Sequence, residues 1–408
     1  MTGTFRLLRE RRFRPFFLTQ FLGAFNDNVL KNAMVMLITF RGAQFPGIDP
    51  GLMVNACAGI FILPFFLFSA TAGQLADKYE KSRLIRLVKL AEIGIMFVAA
   101  AGFWLPSLPL LLVALFMMGM HSTLFGPLKY SILPQLLHAD ELVGGNALVE
   151  GATFLAILLG TILGGLLISA GTDGRDFAAI TCFFIALLGW FASRGIPTAA
   201  AAAPDLRINP NLFTETCRNV RSLRDRPDVR LAVIGISWFW FYGALFLSQF
   251  PAFAKNQLGG DEHTVTLLLA LFSVGIGLGS LLCARLARGR IDLRLTLAGA
   301  VGMTVFAVDL AFAAPDRLRA LVDLTLIAIS GGLYCVPLYT LMQARSDAAQ
   351  RSRVIAANNI VNALFMVVAA VLAMLLLGAG GSVPQLFLLT AALNAGVAGW
   401  LFWRKTTC

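Results

Sequence analysis

Charge is scarce in this 408-residue chain: Asp, Glu, Lys and Arg together make up 13% of it, about half the ~25% of an ordinary soluble domain. A chain so poor in polar side chains cannot coat a water-facing exterior around the two or three domains its length would otherwise imply. Histidine is rarer still, with three copies. The six cysteines (Cys57, Cys182, Cys217, Cys283, Cys335 and Cys408) lie far apart with no CxxC pair. That spacing gives neither a zinc site nor a disulfide framework. No nucleophile elbow, Walker lysine or metal-ligand cluster occurs. The GIGLG string at 275–279 lies inside an apolar run with no strand before it, so it is no phosphate loop. Enzymatic chemistry has no visible home, and no cofactor is expected.

What the chain has is apolar length. Hydrophobic residues make up 58%, and the mean hydropathy is +0.78. Lipid is the natural solvent for such a composition, and a spanning helix needs about 20 mostly apolar residues. Apolar runs fall near 16–40, 52–76, 84–104, 107–132, 146–171 and 175–194. A second set falls near 230–254, 263–287, 293–314, 319–344, 353–379 and 383–403. The first run is too long for a signal h-region and has no small-residue cleavage site, so it reads as a retained span. The expected fold is an all-α membrane protein of twelve transmembrane helices.

The net charge of +11 is distributed as a topology signal, with no patch suited to nucleic acid. Most of the 33 basic residues cluster near 6–14, 78–89, 194–230, 285–294, 345–353 and 404–405, all on one side of the expected spans. The opposite side holds Arg41, Arg175, Lys255, Arg317 and Arg319, while Lys31 and Lys129 fall within spans. Such a split places both termini in the cytoplasm. The segment 195–229, with its alanine run, Pro204, Pro210 and basic stretch, reads as a linker between residues 1–194 and 230–408. Landmarks recur across it: RRFRPF at 11–16 and RDRPDV at 224–229, GPLKYSILPQ at 126–135 and VPLYTLMQ at 336–343, GGNALVEGATF at 144–154 and AANNIVNALF at 356–365. All are offset by a similar distance in the same order, which argues for two pseudo-symmetric six-helix bundles. Gly160 with Gly164, and Gly275 with Gly279, have the GxxxG spacing of close helix packing.

Ionisable groups inside a bilayer are costly and mark function by default. The first span carries Asn26, Asp27, Asn28 and Lys31. Gln20, Ala24, Asp27 and Lys31 share one helical stripe, suited to a cavity or gate, or to an Asp27–Lys31 pair that only packs. The fourth span offers His121, Phe125 and Lys129 on one face, with Pro127 interrupting its helix ladder. Lys129 either enters the cavity or snorkels to the interface, and His121 is either a ligand or a hydrogen-bonded packing residue. The fifth span opens with Asn146 and Glu150. Glu150 is too deep for a surface charge and needs a partner such as Lys129. The second set of spans replaces charge with aromatics and amides: a Ser237-Trp-Phe-Trp-Phe-Tyr242 run, Tyr334, Tyr339, Asn358 and Asn362. A cavity between the halves would be charged on one wall and aromatic on the other, unless the bulky aromatics face lipid.

Between the second and third runs the chain reads Gly73-Gln-Leu-Ala-Asp77-Lys78, followed by Lys81 and Arg83, and a weaker copy runs from Gly279 to Arg285. An acid at a helix end beside a basic loop can hold a neighbouring helix end and release it. This string resembles the G-x-L-A-D-R/K signature of the major facilitator superfamily. The resemblance implies a gating role for Asp77, Lys78, Arg83 and Arg285, the alternative being that these charges merely fix topology. FLGAFNDN at 21–28, GPLKYSIL at 126–133, GNALVEG at 145–151, ILLGTILGG at 157–165 and VPLYTLMQ at 336–343 are similar to the bacterial lysophospholipid transporters.

That second resemblance implies a secondary transporter of the bacterial inner membrane. It would move lysophospholipids by alternating access or flipping, for reacylation by a separate acyltransferase on the cytoplasmic side. Asp27, Asn28, Lys31, Lys129 and Glu150 would recognise the headgroup, and the aromatic-rich second half would accommodate the tail, each buried methylene contributing roughly 0.8 kcal/mol. The seventh span departs from the family pattern by having no cation through Phe253. A proton-coupled exporter of amphipathic drugs or metabolites is the alternative. A passive scaffold for an acyltransferase is disfavoured by the buried charge of the first span.

Overall fold

In lipid the backbone must satisfy its own hydrogen bonds, so apolar runs of this length can settle only as helices. The computed structural model describes residues 2–41 and 50–407, and no strand occurs among the described residues. Its long helices are α1 (Arg14–Arg41), α2 (Pro50–Lys78), α3 (Lys81–Trp104), α4 (Leu108–Ser131), α5 (Leu142–Ser169) and α6 (Gly174–Arg194). After a shorter helix over Leu212–Ser222 come α7 (Pro227–Asn256), α8 (Glu262–Ala287), α9 (Leu293–Ala311), α10 (Arg317–Arg345), α11 (Arg351–Gly378) and α12 (Val383–Thr407). Among the described residues, ten of these are long and apolar enough to cross a membrane. Helices α1 and α3, which carry much of the buried charge described below, fall outside that set.

The sequence marks many of the helix starts with acceptor side chains that satisfy first-turn N–H groups. Glu80 caps α3 through the amides of Ser82 and Arg83. Asp261, Asp292 and Asp316 cap α8, α9 and α10 in the same way. Pro127 lies inside α4 and Pro337 inside α10, matching the recurrence of the two motifs that contain them.

Packing follows the small residues. Helix α1 lies against α5 and α6, α3 against α4 and α6, and α2 against α4. Helix α10 lies against α8 and α9, α12 against α9, and α7 against α10 and α11. Residues before and after the linker meet chiefly through α5 with α8 and α2 with α11. The expected glycine seams are present. A Cβ on Gly160 would sit 2.7 Å from the Phe25 carbonyl of α1, and one on Gly279 would sit 2.0 Å from the Ile329 carbonyl of α10.

The linker is stitched down. The Ala202 and Ala203 amides donate to the Asp77 carbonyl at 3.0 and 2.8 Å. Gln74 and the Asn209 backbone exchange two hydrogen bonds, at 2.7 and 3.1 Å. The helix Leu212–Ser222 then rests on both α2 and α11. Two basic residues of the 78–89 cluster lie inside the protein: Lys89 is fully buried within α3, and Lys81 is 2% exposed.

Candidate functional site

The polar residues of α1 are met by partners on α3 and α4. Asn26 donates its amide to Glu92 Oε1 at 2.7 Å. The other Glu92 oxygen takes the Lys89 ammonium and lies 3.2 Å from His121 Nε2. One residue along, Asp27 accepts from the Ser122 hydroxyl. Two adjacent contacts, Asn26–Glu92 and Asp27–Ser122, therefore tie α1 to α3 and to α4, with the His121 ring beside Glu92. Lys89 needs room: a Cβ on Gly189 of α6 would come 2.7 Å from its Cε. Burying these ions costs several kcal/mol each, and only close pairing offsets that cost. Sequence reading missed Glu92 and Lys89, although their i, i+3 spacing inside an apolar run was a usable signal.

The remaining α1 groups are less fully engaged. Asp27 Oδ1 and Asn28 Oδ1 are buried with no hydrogen-bond partner among the described residues, while the Asn28 amide is spent on the Ala24 carbonyl at 2.8 Å. The Lys31 ammonium lies over the Phe61 ring, 5.7 Å from its centroid, a cation–π placement. It makes no ion pair with Asp27 among the described residues, so the packing-only Asp27–Lys31 pair is absent.

Helices α4 and α5 contribute a second group. Lys129 donates to the Thr153 hydroxyl at 2.7 Å and is buried, which rules out snorkelling to the interface. The expected Lys129–Glu150 pair gives way to a different one. Glu150 accepts from the Tyr130 hydroxyl at 2.6 Å, and its Oε2 has no hydrogen-bond partner among the described residues. A neutral donor next in sequence to Lys129 points straight at the carboxylate. Tyr130 stacks on Tyr339 with centroids 4.5 Å apart, and Tyr339 accepts from Trp240 Nε1 at 3.0 Å. Phe154 of α5 lies 5.9 Å from Phe239 and 6.2 Å from Trp240. The α7 aromatics therefore face protein: Phe239 and Trp240 meet α5, while Trp238 bonds to Asn394 and Tyr242 to the Met303 carbonyl. Lipid exposure does not account for them.

The amides divide. Asn146 and Gln343 exchange hydrogen bonds at 2.8 and 2.9 Å, joining α5 to α10. Asn362 accepts from Ser237 at 2.7 Å. Asn358 is buried with neither side-chain polar atom bonded among the described residues. Tyr334 donates to the Gly235 carbonyl at 3.1 Å and joins α7 to α10.

Asp77 has the most complete set of partners. Its carboxylate accepts from the Ser352 amide at 3.0 Å, the Arg353 amide at 3.3 Å and Arg353 Nε at 3.1 Å. It thus sits on the N-terminus of α11, where free N–H groups and the helix dipole both favour an anion. Gly73, one turn earlier, allows the approach, since a Cβ there would meet Ala356 Cβ at 2.7 Å. The other gating candidates lie elsewhere. Lys78 is over the Tyr79 ring, the Arg83 amide is capped by Glu80, and Arg285 lines an outer pocket. Arg353, read from sequence as topology charge, is the cation that Asp77 engages.

The acid of the G-x-L-A-D string at 73–77 thus lies across a helix seam, on the first turn of α11. A family model described as Major Facilitator Superfamily matches residues 16–370. The chain belongs to the Major Facilitator Superfamily. Among curated superfamily relatives, the "Lysophospholipid transporter LplT" of Salmonella gallinarum is 32% identical over 330 residues, covering 80% of this chain and 78% of the relative. The protein of the same name from Serratia proteamaculans is 30% identical over 332 residues, with the same coverage. Among solved structures, the human organic anion transporter MFSD10 (TETRAN) superposes with a TM-score of 0.77 at 13% identity, covering 98% of this chain and all of that one. The superfamily transporter FucP, in its outward conformation, gives 0.75 at 15% identity, covering 97% and 99%. These structures establish the superfamily fold.

Proposed function

We propose that this chain moves lysophospholipids across a bacterial inner membrane by alternating access or flipping, for reacylation by a separate acyltransferase on the cytoplasmic side. The relatives named as lysophospholipid transporters support this reading. The observation that carries it is the pairing of two unlike walls. Asp27, Lys31, Lys129 and Glu150 come from α1, α4 and α5, while Phe239, Trp240 and Tyr339 come from α7 and α10. A zwitterionic headgroup presents an ammonium to the carboxylates and a phosphate to the ammonium groups. The acyl chain lies along the aromatics.

In this reading α1 and α3 also span, giving twelve transmembrane helices in two six-helix bundles, 1–194 and 230–408, joined by 195–229 with both termini cytoplasmic. The basic loops support that orientation. The Asp77–Arg353 clamp is then a cytoplasmic gate in its closed state, backed by the linker. Asn26, Asn28, His121 and Asn146 position the charged wall, and Asn358 and Asn362 lie in α11 opposite it.

Reconstituted proteoliposomes test the proposal. Fluorescent lysophosphatidylethanolamine should cross faster than in empty liposomes. Movement equal to that of empty liposomes rejects lipid transport. Accumulation of a cationic amphiphile only under an imposed pH gradient would favour the proton-coupled exporter instead.

A further inference from the structure

At the end of the molecule that carries Asp77, a pocket of about 1240 Å³ opens between the N-terminal segment, the start of α5 and the last turns of α8. It exceeds the ~300–1,000 Å³ of ordinary small-molecule sites. Its two sides differ in chemistry. Leu278 and Leu282, one turn apart on α8, are 52% and 39% exposed and form an apolar strip on a membrane helix. Above the strip lie Arg6, Arg9, Arg285 and Arg288.

The acids nearby are mostly taken. Arg12 binds both Glu10 and Glu141 at 2.6 Å, and Arg6 lies 3.6 Å from Glu10. Asp140 is the remaining carboxylate lining the pocket. Arg9, Arg285 and Arg288 are left without an ion-pair partner among the described residues. The floor that gathers them is fixed: the Gly289 turn after α8, at φ +78, lies so close to the Asp140 carbonyl that a Cβ there would reach it at 2.7 Å.

We propose that this pocket is a binding site for an anionic phospholipid of the adjoining leaflet, separate from the transport path. The headgroup phosphate lies between Arg9, Arg285 and Arg288, and the acyl chains run down the Leu278 and Leu282 strip. Arginine suits this role because its planar fork presents parallel donors to phosphate oxygens. A phosphate without chains would use only half of the site.

The test is titration of the purified full-length protein with dioleoylphosphatidylglycerol, dioleoylphosphatidylcholine and glycerol 3-phosphate, read by mass spectrometry of the intact complex. Phosphatidylglycerol should bind in preference to phosphatidylcholine. Each interfacial arginine contributes about fivefold, so Arg285→Gln with Arg288→Gln should weaken phosphatidylglycerol binding roughly 30-fold, and Arg288→Gln alone about fivefold. Arg224→Gln, on the linker and outside the pocket, should leave it unchanged. Three results would each overturn the proposal: unaltered binding in Arg288→Gln, equal binding of phosphatidylcholine, or glycerol 3-phosphate binding as tightly as the lipid. Lysophospholipid flux is not the readout, so failure here leaves the transport reading standing.

Discussion

If the Asp77–Arg353 clamp is the proposed gate, replacing Asp77 by Asn should open it, and the contacts of Asp77 set the size of the effect. The substitution keeps the shape of the side chain but removes its charge. One amide oxygen then remains to accept from the Ser352 and Arg353 amides, and the Arg353 guanidinium loses its counter-ion. A hydrogen bond to a charged group contributes about 1.5–3 kcal/mol, and an anion at a partly buried helix N-terminus up to about 2 kcal/mol. Taking roughly 2–3 kcal/mol as the net loss shifts the closed-to-open ratio by about 30–150-fold. Arg353→Ala should shift it less, because both backbone donors of α11 survive.

Spin labels at Tyr79 and Arg345, both exposed, would report the separation of the two sides by pulsed electron resonance in lipid nanodiscs. The exposed Cys217 and the terminal Cys408 would first be replaced by serine. The parent should give one short distance, Asp77→Asn a dominant longer one, and Arg353→Ala a mixture. An unchanged distribution in Asp77→Asn would refute the gate, and so would Arg353→Ala opening it further than Asp77→Asn.

Three further outcomes follow from named contacts. Glu92→Gln leaves Lys89 buried without its counter-ion and should cost about 3–5 kcal/mol, read as a large fall in thermal midpoint. Lys89→Met with Glu92→Gln should recover much of it. Gly160→Ala places a methyl against the Phe25 carbonyl and should cost about 1–3 kcal/mol in the same assay. Burial alone would raise the Glu80 carboxyl, but donation from the Ser82 hydroxyl and from the Ala199, Ser82 and Arg83 amides outweighs it and holds the value below the ordinary 4.5. Its contribution is therefore full above 4.5 and lost as pH falls through the lower folded value. Stability should decline through that acid window in the parent, and Glu80→Gln should flatten the decline.

Much of the fold was legible because a membrane helix writes itself as a long apolar run, and because glycine spacing names its own seams. Gly160, Gly164, Gly275 and Gly279 each sit against a neighbouring backbone as their spacing implied. The buried charge of α1 was legible too, since Asp27 and Lys31 have no other place to go. The partners were not. Lys89 sits at the edge of a basic cluster and was read with it, and nothing in α3 itself says that Asn26 and His121 approach Glu92. Tyr130 took the place expected of Lys129 because hydroxyl reach, and not charge, decided which neighbour met Glu150. Arg353 looked like topology charge until α11 came to rest on Asp77, 276 residues away in the chain. Contacts of that kind depend on how helices cross, and single-helix patterns do not encode it.

The central claim is that a charged wall around Asp27 recognises the headgroup of an amphiphile. Initial rates of labelled lysophosphatidylethanolamine movement in proteoliposomes, compared between the parent and Asp27→Asn at equal reconstituted protein and matched thermal midpoint, test it most directly. Loss of one charged contact at about 1.5–3 kcal/mol predicts a rate lower by roughly 10- to 100-fold. An Asp27→Asn rate equal to that of the parent would contradict the account.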